Sequence, residues 1–125
     1  MKLRSSFLLA AACTLLIGAA PVVAHHSFAA EYDVNKPANL TGSVTKLDWI
    51  NPHARLFIDI KDGNGRIVNW EVELGAPAIL TRNGWTRTTL KAGDVVTVSG
   101  SMAKDGSNLA NARSVTLADG KKVLF

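Results

Sequence analysis

Cysteine is nearly absent from the sequence, which contains only Cys13. This residue lies inside an apolar run, Phe7 to Ala20, that predicts an export signal removed from the mature protein. Disulfide bonds, thiolate metal sites and cysteine catalysis are therefore excluded for the mature chain. Lipidation at Cys13 is disfavoured, because Ala10 is a poor start to a lipobox and apolar sequence continues past the cysteine.

The predicted signal combines basic residues, Lys2 and Arg4, with an apolar run too short to span a bilayer. Val22 and Ala24 fit the positions that signal peptidase reads, which predicts cleavage after Ala24 and a mature chain beginning at His25. We expect a signal peptide at residues 1–24, an N-terminal arm at 25–39 and one β-barrel domain at 40–125. The expected location is periplasmic or secreted, with no membrane anchor after cleavage.

The sequence also lacks a block of basic residues. It has 14 Lys and Arg residues against 10 Asp and Glu residues, and loss of Lys2 and Arg4 with the signal leaves 12 against 10. This small excess is spread along the chain, which argues against nucleic acid as a partner.

Alternating apolar and polar residues predict β-strands over most of the mature chain. The expected elements are strands at 40–49, 55–60 and 68–74, a short helix within 75–84, and strands at 95–102, 109–117 and 123–125. Pro77 suits the first helical position, and Ile79 and Leu80 are the expected plug of the barrel. The order predicts an all-β, OB-fold-like five-stranded barrel with a short helix between strands 3 and 4. Another small barrel or sandwich with different strand pairing remains open.

Three histidines, His25, His26 and His53, are the candidate metal ligands. Cleavage after Ala24 would give His25 a free α-amine beside its imidazole, and copper favours such nitrogen-rich sites. Cleavage one residue earlier would make His26 the third residue, a spacing that encloses copper or nickel in a square plane. The alternative is a structural arm, with Phe28 and Tyr32 packing it on the barrel. Copper is the one cofactor that the sequence suggests.

A candidate ligand or partner face consists of Trp49, Asn51, Arg55 and Trp85. The first three lie at the corner between the first two strands, a loop that often lines the binding face of an OB-fold. Trp85 is equally compatible with capping the helix end. Glu71 and Glu73 alternate with buried positions, so a solvated face is expected for them rather than a pair of catalytic acids.

The segments HHSFAAEYD, WINPHA, NGWTR, LKAGDVVTV and AKDGSNLANARSVTL together resemble an uncharacterised family of small exported bacterial proteins, a domain of unknown function whose mature chains open with HHSF. The resemblance covers nearly all of the mature chain. It implies a periplasmic β-barrel and no established activity or partner. The shared residues are His25, His26, Ser27, Phe28, Asn51, Pro52, His53, Gly84, Trp85, Gly93 and Asp94.

The sequence is compatible with two functions. The first is a non-enzymatic periplasmic binding module that holds a transition metal, copper first, with its histidines. The second is an accessory protein whose barrel face binds another exported protein or a small ligand. An enzyme is disfavoured, because the sequence offers no nucleophile paired with a base.

Overall fold

The computed structural model describes residues 27–125. The predicted signal peptide, His25 and His26 lie outside these residues. The elements are α1 (Phe28–Glu31), β1 (Tyr32–Asp48), β2 (Arg55–Lys61), β3 (Ile67–Glu73), α2 (Pro77–Arg82), β4 (Val95–Ala103), β5 (Leu109–Leu117) and β6 (Lys122–Leu124).

The strands form one sheet in the order β3-β2-β1-β4-β5-β6, and β3 also pairs with β5. That extra pairing is parallel, joins Glu71–Glu73 to Leu109–Asn111, and closes β1 to β5 into a ring. Strand β6 continues the sheet beside β5. The all-β class and the short helix between β3 and β4 are therefore confirmed, in an arrangement of the OB-fold type.

Strand β1 begins at Tyr32, eight residues before the predicted start at Leu40. Its pairing with β4 shifts register between Asp33 and Pro37, so the strand contains an irregularity where proline cannot donate a backbone hydrogen bond. Because of this irregularity, the first part of β1 lacks the regular alternation of apolar and polar residues from which a strand is predicted. Residues 32–39 of the predicted arm are consequently part of the sheet.

The interior of the ring is apolar. It includes Leu56, Ile58, Val72, Leu80, Trp85, Val96, Val98 and Val115, all almost completely buried. Of the two residues predicted as the plug, Leu80 is buried and Ile79 is 39% exposed. Neighbouring residues of a helix point about 100° apart, so only one of them can face the interior.

Glycine is required where β4 crosses β5 most closely. A side chain at Gly100 would collide with the backbone carbonyl of Asn111. Gly100 lies at the register shift between these strands, and the close approach tightens the bend that closes the ring. Within residues 27–125, neither helix has the length and apolar character needed to cross a bilayer.

Candidate functional site

The last residue of β3, Glu73, carries a carboxylate that contacts three side chains. The Tyr32 hydroxyl donates to Oε2 at 2.9 Å, and Arg55 Nη1 lies 3.0 Å from the same oxygen. His53 Nδ1 lies 3.1 Å from Oε1. We call these four residues the Glu73 cluster.

The β2–β3 hairpin supplies half of the cluster through its register. Arg55 pairs directly with Glu73, so their side chains lie on the same face of the sheet. His53 precedes Arg55 by two residues in the loop between β1 and β2. Backbone hydrogen bonds of Ala54 with Leu74 and Gly75 continue the pairing past the end of the strands and fix the backbone next to His53.

Tyr32, the fourth residue of the cluster, lies 41 residues before Glu73 in the sequence. It is the first residue of β1, pairs with Ala103 of β4, and is 2% exposed. Burial, and next the negative charge of Glu73, raise the pKa of the Tyr32 hydroxyl far above its usual value of 10.0. The phenol therefore stays protonated over the physiological range and remains a hydrogen-bond donor to the carboxylate.

The expectation of a solvated face fails for Glu73, which is 7% exposed. Its charge is balanced by Arg55, which also lies 3.3 Å from Oε1 of the more exposed Glu71. A carboxylate buried to this degree needs such partners, since an isolated buried charge is strongly unfavourable. Glu71 and Glu73 therefore differ in environment although both lie on β3.

The imidazole of His53 contacts the cluster through one ring nitrogen and is otherwise partly exposed to solvent. Its Nδ1 faces Glu73, while 41% of its side-chain surface is exposed. Its other ring nitrogen, Nε2, has no hydrogen-bond partner among residues 27–125. The same part of the chain contains no group of three or more His, Cys, Asp or Glu side chains arranged to hold a metal.

A surface cleft of about 370 Å³ borders the cluster. His53, Glu73 and Asn111 supply its polar wall, and Ile79 and Phe125 supply apolar wall. The Phe125 ring packs edge-on against Trp85 beneath it, with 5.6 Å between ring centroids. The cleft thus connects His53 to the C-terminal end of the chain.

The first described residues are attached to the barrel close to the cluster. The Phe28 ring lies 5.4 Å from the Tyr32 ring, measured between centroids. Lys104 donates its backbone N–H to the Glu31 carbonyl and its ammonium to the Ala29 carbonyl. The chain that follows His26 is therefore bound to the β4–β5 loop.

A family model for a family of unknown function, DUF6152, matches residues 12–112. The chain belongs to the DUF6152 family. A search of curated proteins finds no match to it.

Solved structures with similar strands belong to much larger proteins. They include the ZRD-deleted mutant of TiaS in complex with agmatine, 28% identical over 68% of this chain and 22% of that chain, with a TM-score of 0.49. Apo TiaS, a tRNA agmatidine synthetase, is also 28% identical over 68% of this chain and 18% of its own, with a TM-score of 0.48. A tRNA fluorescent labeling enzyme is 26% identical, with a TM-score of 0.45. The DUF6152 chain therefore spans about a fifth of these proteins, and the likeness carries no functional conclusion.

The four residues of the predicted ligand face do not form one accessible surface in the DUF6152 chain. Trp85 is 1% exposed and belongs to the core; it follows the end of α2 by three positions, and its backbone N–H donates to the Leu80 carbonyl. Trp49 packs partly against the same core. Asn51 is exposed, whereas Arg55 is held by the two carboxylates of β3.

Two residues of the cluster, Tyr32 and Glu73, are absent from the predicted site. The hairpin register contains the signal for Glu73, since the pairing of β2 with β3 sets it opposite Arg55. No local pattern indicates Tyr32, whose partner is 41 residues away in sequence.

Proposed function

We propose that this protein is an exported, non-enzymatic metal-binding module that holds copper with His25, His26 and His53. The observation that supports the proposal best is the shared carboxylate of Glu73. It accepts a hydrogen bond from Tyr32, which follows His26 closely in sequence, and it lies 3.1 Å from Nδ1 of His53, which is remote in sequence.

The distances are compatible with one shared site. Tyr32 and His53 both lie within about 3 Å of the same carboxylate, and the Phe28 ring packs on Tyr32. The first described residues are therefore attached beside the cluster that contains His53, which supports a shared site.

The donor set suits copper. Neutral imidazole is a common copper ligand, and divalent copper binds nitrogen sites more tightly than the other first-row divalent metals. Removal of residues 1–24 would add the α-amine of His25, which makes the donors richer in nitrogen. Export is thus part of the proposal, because an uncleaved chain lacks that amine.

The test uses the mature chain produced with His25 as its first residue, titrated with Cu(II) by calorimetry and weighed by native mass spectrometry. We expect one copper per chain, and affinity at least about tenfold lower in His53→Ala, the scale on which a lost ligand weakens a site. Asn51→Ala is the matched loop control and should keep the wild-type affinity.

Two results would overturn the proposal. One is a wild-type chain that binds no copper, and the other is His53→Ala with unchanged affinity. A second candidate, small-ligand binding in the cleft beside His53, would then be favoured, because the cleft offers both polar and apolar walls.

A further inference from the structure

We propose that the cleft beside His53 is a binding site for a small primary amine with an apolar body, such as an arylalkylammonium ion. The ammonium group binds at the Glu73 carboxylate, and the apolar body packs against Ile79 and Phe125, which line the same cleft. This inference goes beyond copper binding and does not depend on it, because every residue that carries it belongs to the described part of the chain.

The Glu73 carboxylate presents one oxygen to the cleft without a hydrogen bond. Oε2 accepts the Tyr32 hydroxyl at 2.9 Å and lies 3.0 Å from Arg55 Nη1, and neither of these partners lines the cleft. Oε1 accepts no hydrogen bond among residues 27–125, and its ion-pair contact is with His53, a cleft residue, at 3.1 Å. The Glu73 side chain is only 10% exposed, so water has little access to it. A ligand that donates a hydrogen bond is therefore favoured at Oε1.

The surrounding charges favour a cationic donor. Arg55 Nη1 lies 3.0 Å from a carboxylate oxygen of Glu73 and 3.3 Å from one of Glu71. One guanidinium against two carboxylates leaves one negative charge in excess. Among the described residues that line the cleft there is no Lys or Arg. An ammonium ion at Glu73 therefore supplies the missing positive charge, whereas an anionic ligand would be repelled.

Asn111 supplies a second acceptor beside Glu73. The parallel pairing of β3 with β5 sets Asn111 directly opposite Glu73, so the two side chains lie on the same face of the sheet. The Asn111 carboxamide lines the cleft and forms no hydrogen bond within residues 27–125. An ammonium group has three N–H donors. Two of them can bind Glu73 and Asn111, while the third remains hydrated in the open cleft.

The other walls of the cleft suit an apolar body. Ile79 is 39% exposed, and the Phe125 ring is held edge-on against Trp85 with 5.6 Å between ring centroids. The cleft volume of about 370 Å³ is at the lower end for small-molecule sites. Covering this apolar surface favours binding, and an aromatic ring on the ligand adds contact with Phe125. An arylalkyl amine therefore matches both kinds of wall.

The first test compares three probes with similar bodies and different heads. Phenethylamine is cationic, phenethyl alcohol is neutral and hydrocinnamate is anionic. Each is titrated into the metal-free mature chain, with chelator, at about pH 8, where free histidine side chains are uncharged. Backbone-amide NMR should show saturable shifts centred on Gly75, Ala76 and Ala112, which line the cleft. The affinity for phenethylamine should be at least about tenfold higher than for the other probes, the factor expected for a charge-assisted hydrogen bond.

Three outcomes of this titration would overturn the inference. They are the absence of saturable shifts with phenethylamine at millimolar concentration, equal affinities for the three probes, and shifts centred away from the cleft. Because no metal is present, the result is independent of whether the chain binds copper.

A pair of lysine substitutions tests the location. Ile79→Lys introduces an ammonium group into the cleft, which should weaken phenethylamine binding at least about tenfold through competition for Glu73 and like-charge repulsion. Ile67→Lys is the matched control, since Ile67 is 63% exposed at the start of β3 and does not line the cleft. It should bind phenethylamine as the wild type does. Equal affinities in the two variants would contradict the assignment.

A pair of glutamine substitutions tests the carboxylate. Glu73→Gln and Glu71→Gln each remove one negative charge beside Arg55, but only Glu73 lines the cleft. Glu73→Gln should weaken phenethylamine binding at least about tenfold, and Glu71→Gln should weaken it clearly less, because the acceptor in the cleft remains. Equal losses would overturn the role of Glu73. If Glu73→Gln does not fold, the comparison of Ile79→Lys with Ile67→Lys decides, because both positions are exposed.

Discussion

The interior of the ring and the Glu73 carboxylate on its outer surface are both shielded from water, but they are stabilised by different interactions. The interior contains apolar side chains such as Leu56, Val98 and Trp85. The cluster contains a carboxylate that accepts a hydrogen bond from Tyr32 and makes ion-pair contacts with Arg55 and His53. The stability of the interior depends on how completely apolar side chains fill its volume. The stability of the cluster depends on the presence of every group that contacts the Glu73 carboxylate.

The difference explains why the cluster is a better candidate for function. A core side chain can be exchanged for another of similar volume at small cost. The cluster brings side chains of β1, β2 and the loop before β2 to the single carboxylate of Glu73 on β3, and it leaves an exposed imidazole at its edge. Tyr32 and Arg55 therefore act on His53 through the carboxylate of Glu73 that all three contact.

The largest effect is expected from removing volume inside the ring. Trp85→Ala should lower the free energy of unfolding by about 3–5 kcal/mol, because the cavity cannot refill completely. Trp85→Phe is the control. It keeps a ring and removes an indole N–H that has no partner among residues 27–125, so its loss should be clearly smaller. Urea unfolding followed by circular dichroism measures both, and equal losses would contradict this account of the core.

A smaller loss is expected from breaking the cluster at its cation. Arg55→Met leaves the Glu73 carboxylate with two donors and no compensating charge, which should cost about 2 kcal/mol. Glu71→Gln removes only the more exposed partner of Arg55 and should cost less than about 1 kcal/mol. Unfolding in urea at neutral pH compares them. If the two variants lose the same stability, the cluster is no more sensitive than the protein surface.

Alkaline pH should affect the cluster and spare the core. The sequence has one tyrosine, so near-ultraviolet absorbance of tyrosinate reports Tyr32 alone. Because burial raises its pKa in the folded chain, ionisation should occur well above the usual value of 10.0, and the urea-unfolded chain should ionise near that value.

The sign of the effect on stability follows from linkage. A folded-state pKa above the unfolded one contributes stability that is fully present below pH 10.0 and is lost as the pH rises toward the folded value. Wild-type stability should therefore fall more steeply above this pH than that of Tyr32→Phe. Parallel pH profiles for the two proteins would rule out the coupling of Tyr32 to Glu73.

The smallest effect is expected on the outer face of β1. Lys46, whose side chain is exposed, and the half-buried Asp48 form an ion pair of 2.8 Å. Lys46→Ala should cost less than about 0.5 kcal/mol, because water and salt screen such pairs. Thermal unfolding at low and high salt checks this, and a loss comparable to that of Arg55→Met would remove the contrast between surface and cluster.

Local patterns were sufficient for most of the fold. The hairpin of β2 and β3 follows from alternation around a glycine-containing turn, and Pro77 begins α2 as expected. The early start of β1 was missed because Pro37 and the neighbouring irregularity interrupt the alternation. For Trp85 the sequence left open whether it caps the helix end or joins a ligand face, and in the structure it is buried in the core.

The sequence by itself determined the strands, the short helix and the candidate histidine His53, because these depend on spacings of a few residues. Tertiary structure decided that Tyr32, Arg55 and His53 meet at the Glu73 carboxylate. The parallel pairing of β3 with β5 joins Glu71 to Leu109, 38 residues later, and Tyr32 pairs with Ala103 of β4, 71 residues later. Tyr32 and Glu73 are separated by 41 residues. Such contacts form only when the whole sheet closes, and no local pattern encodes them.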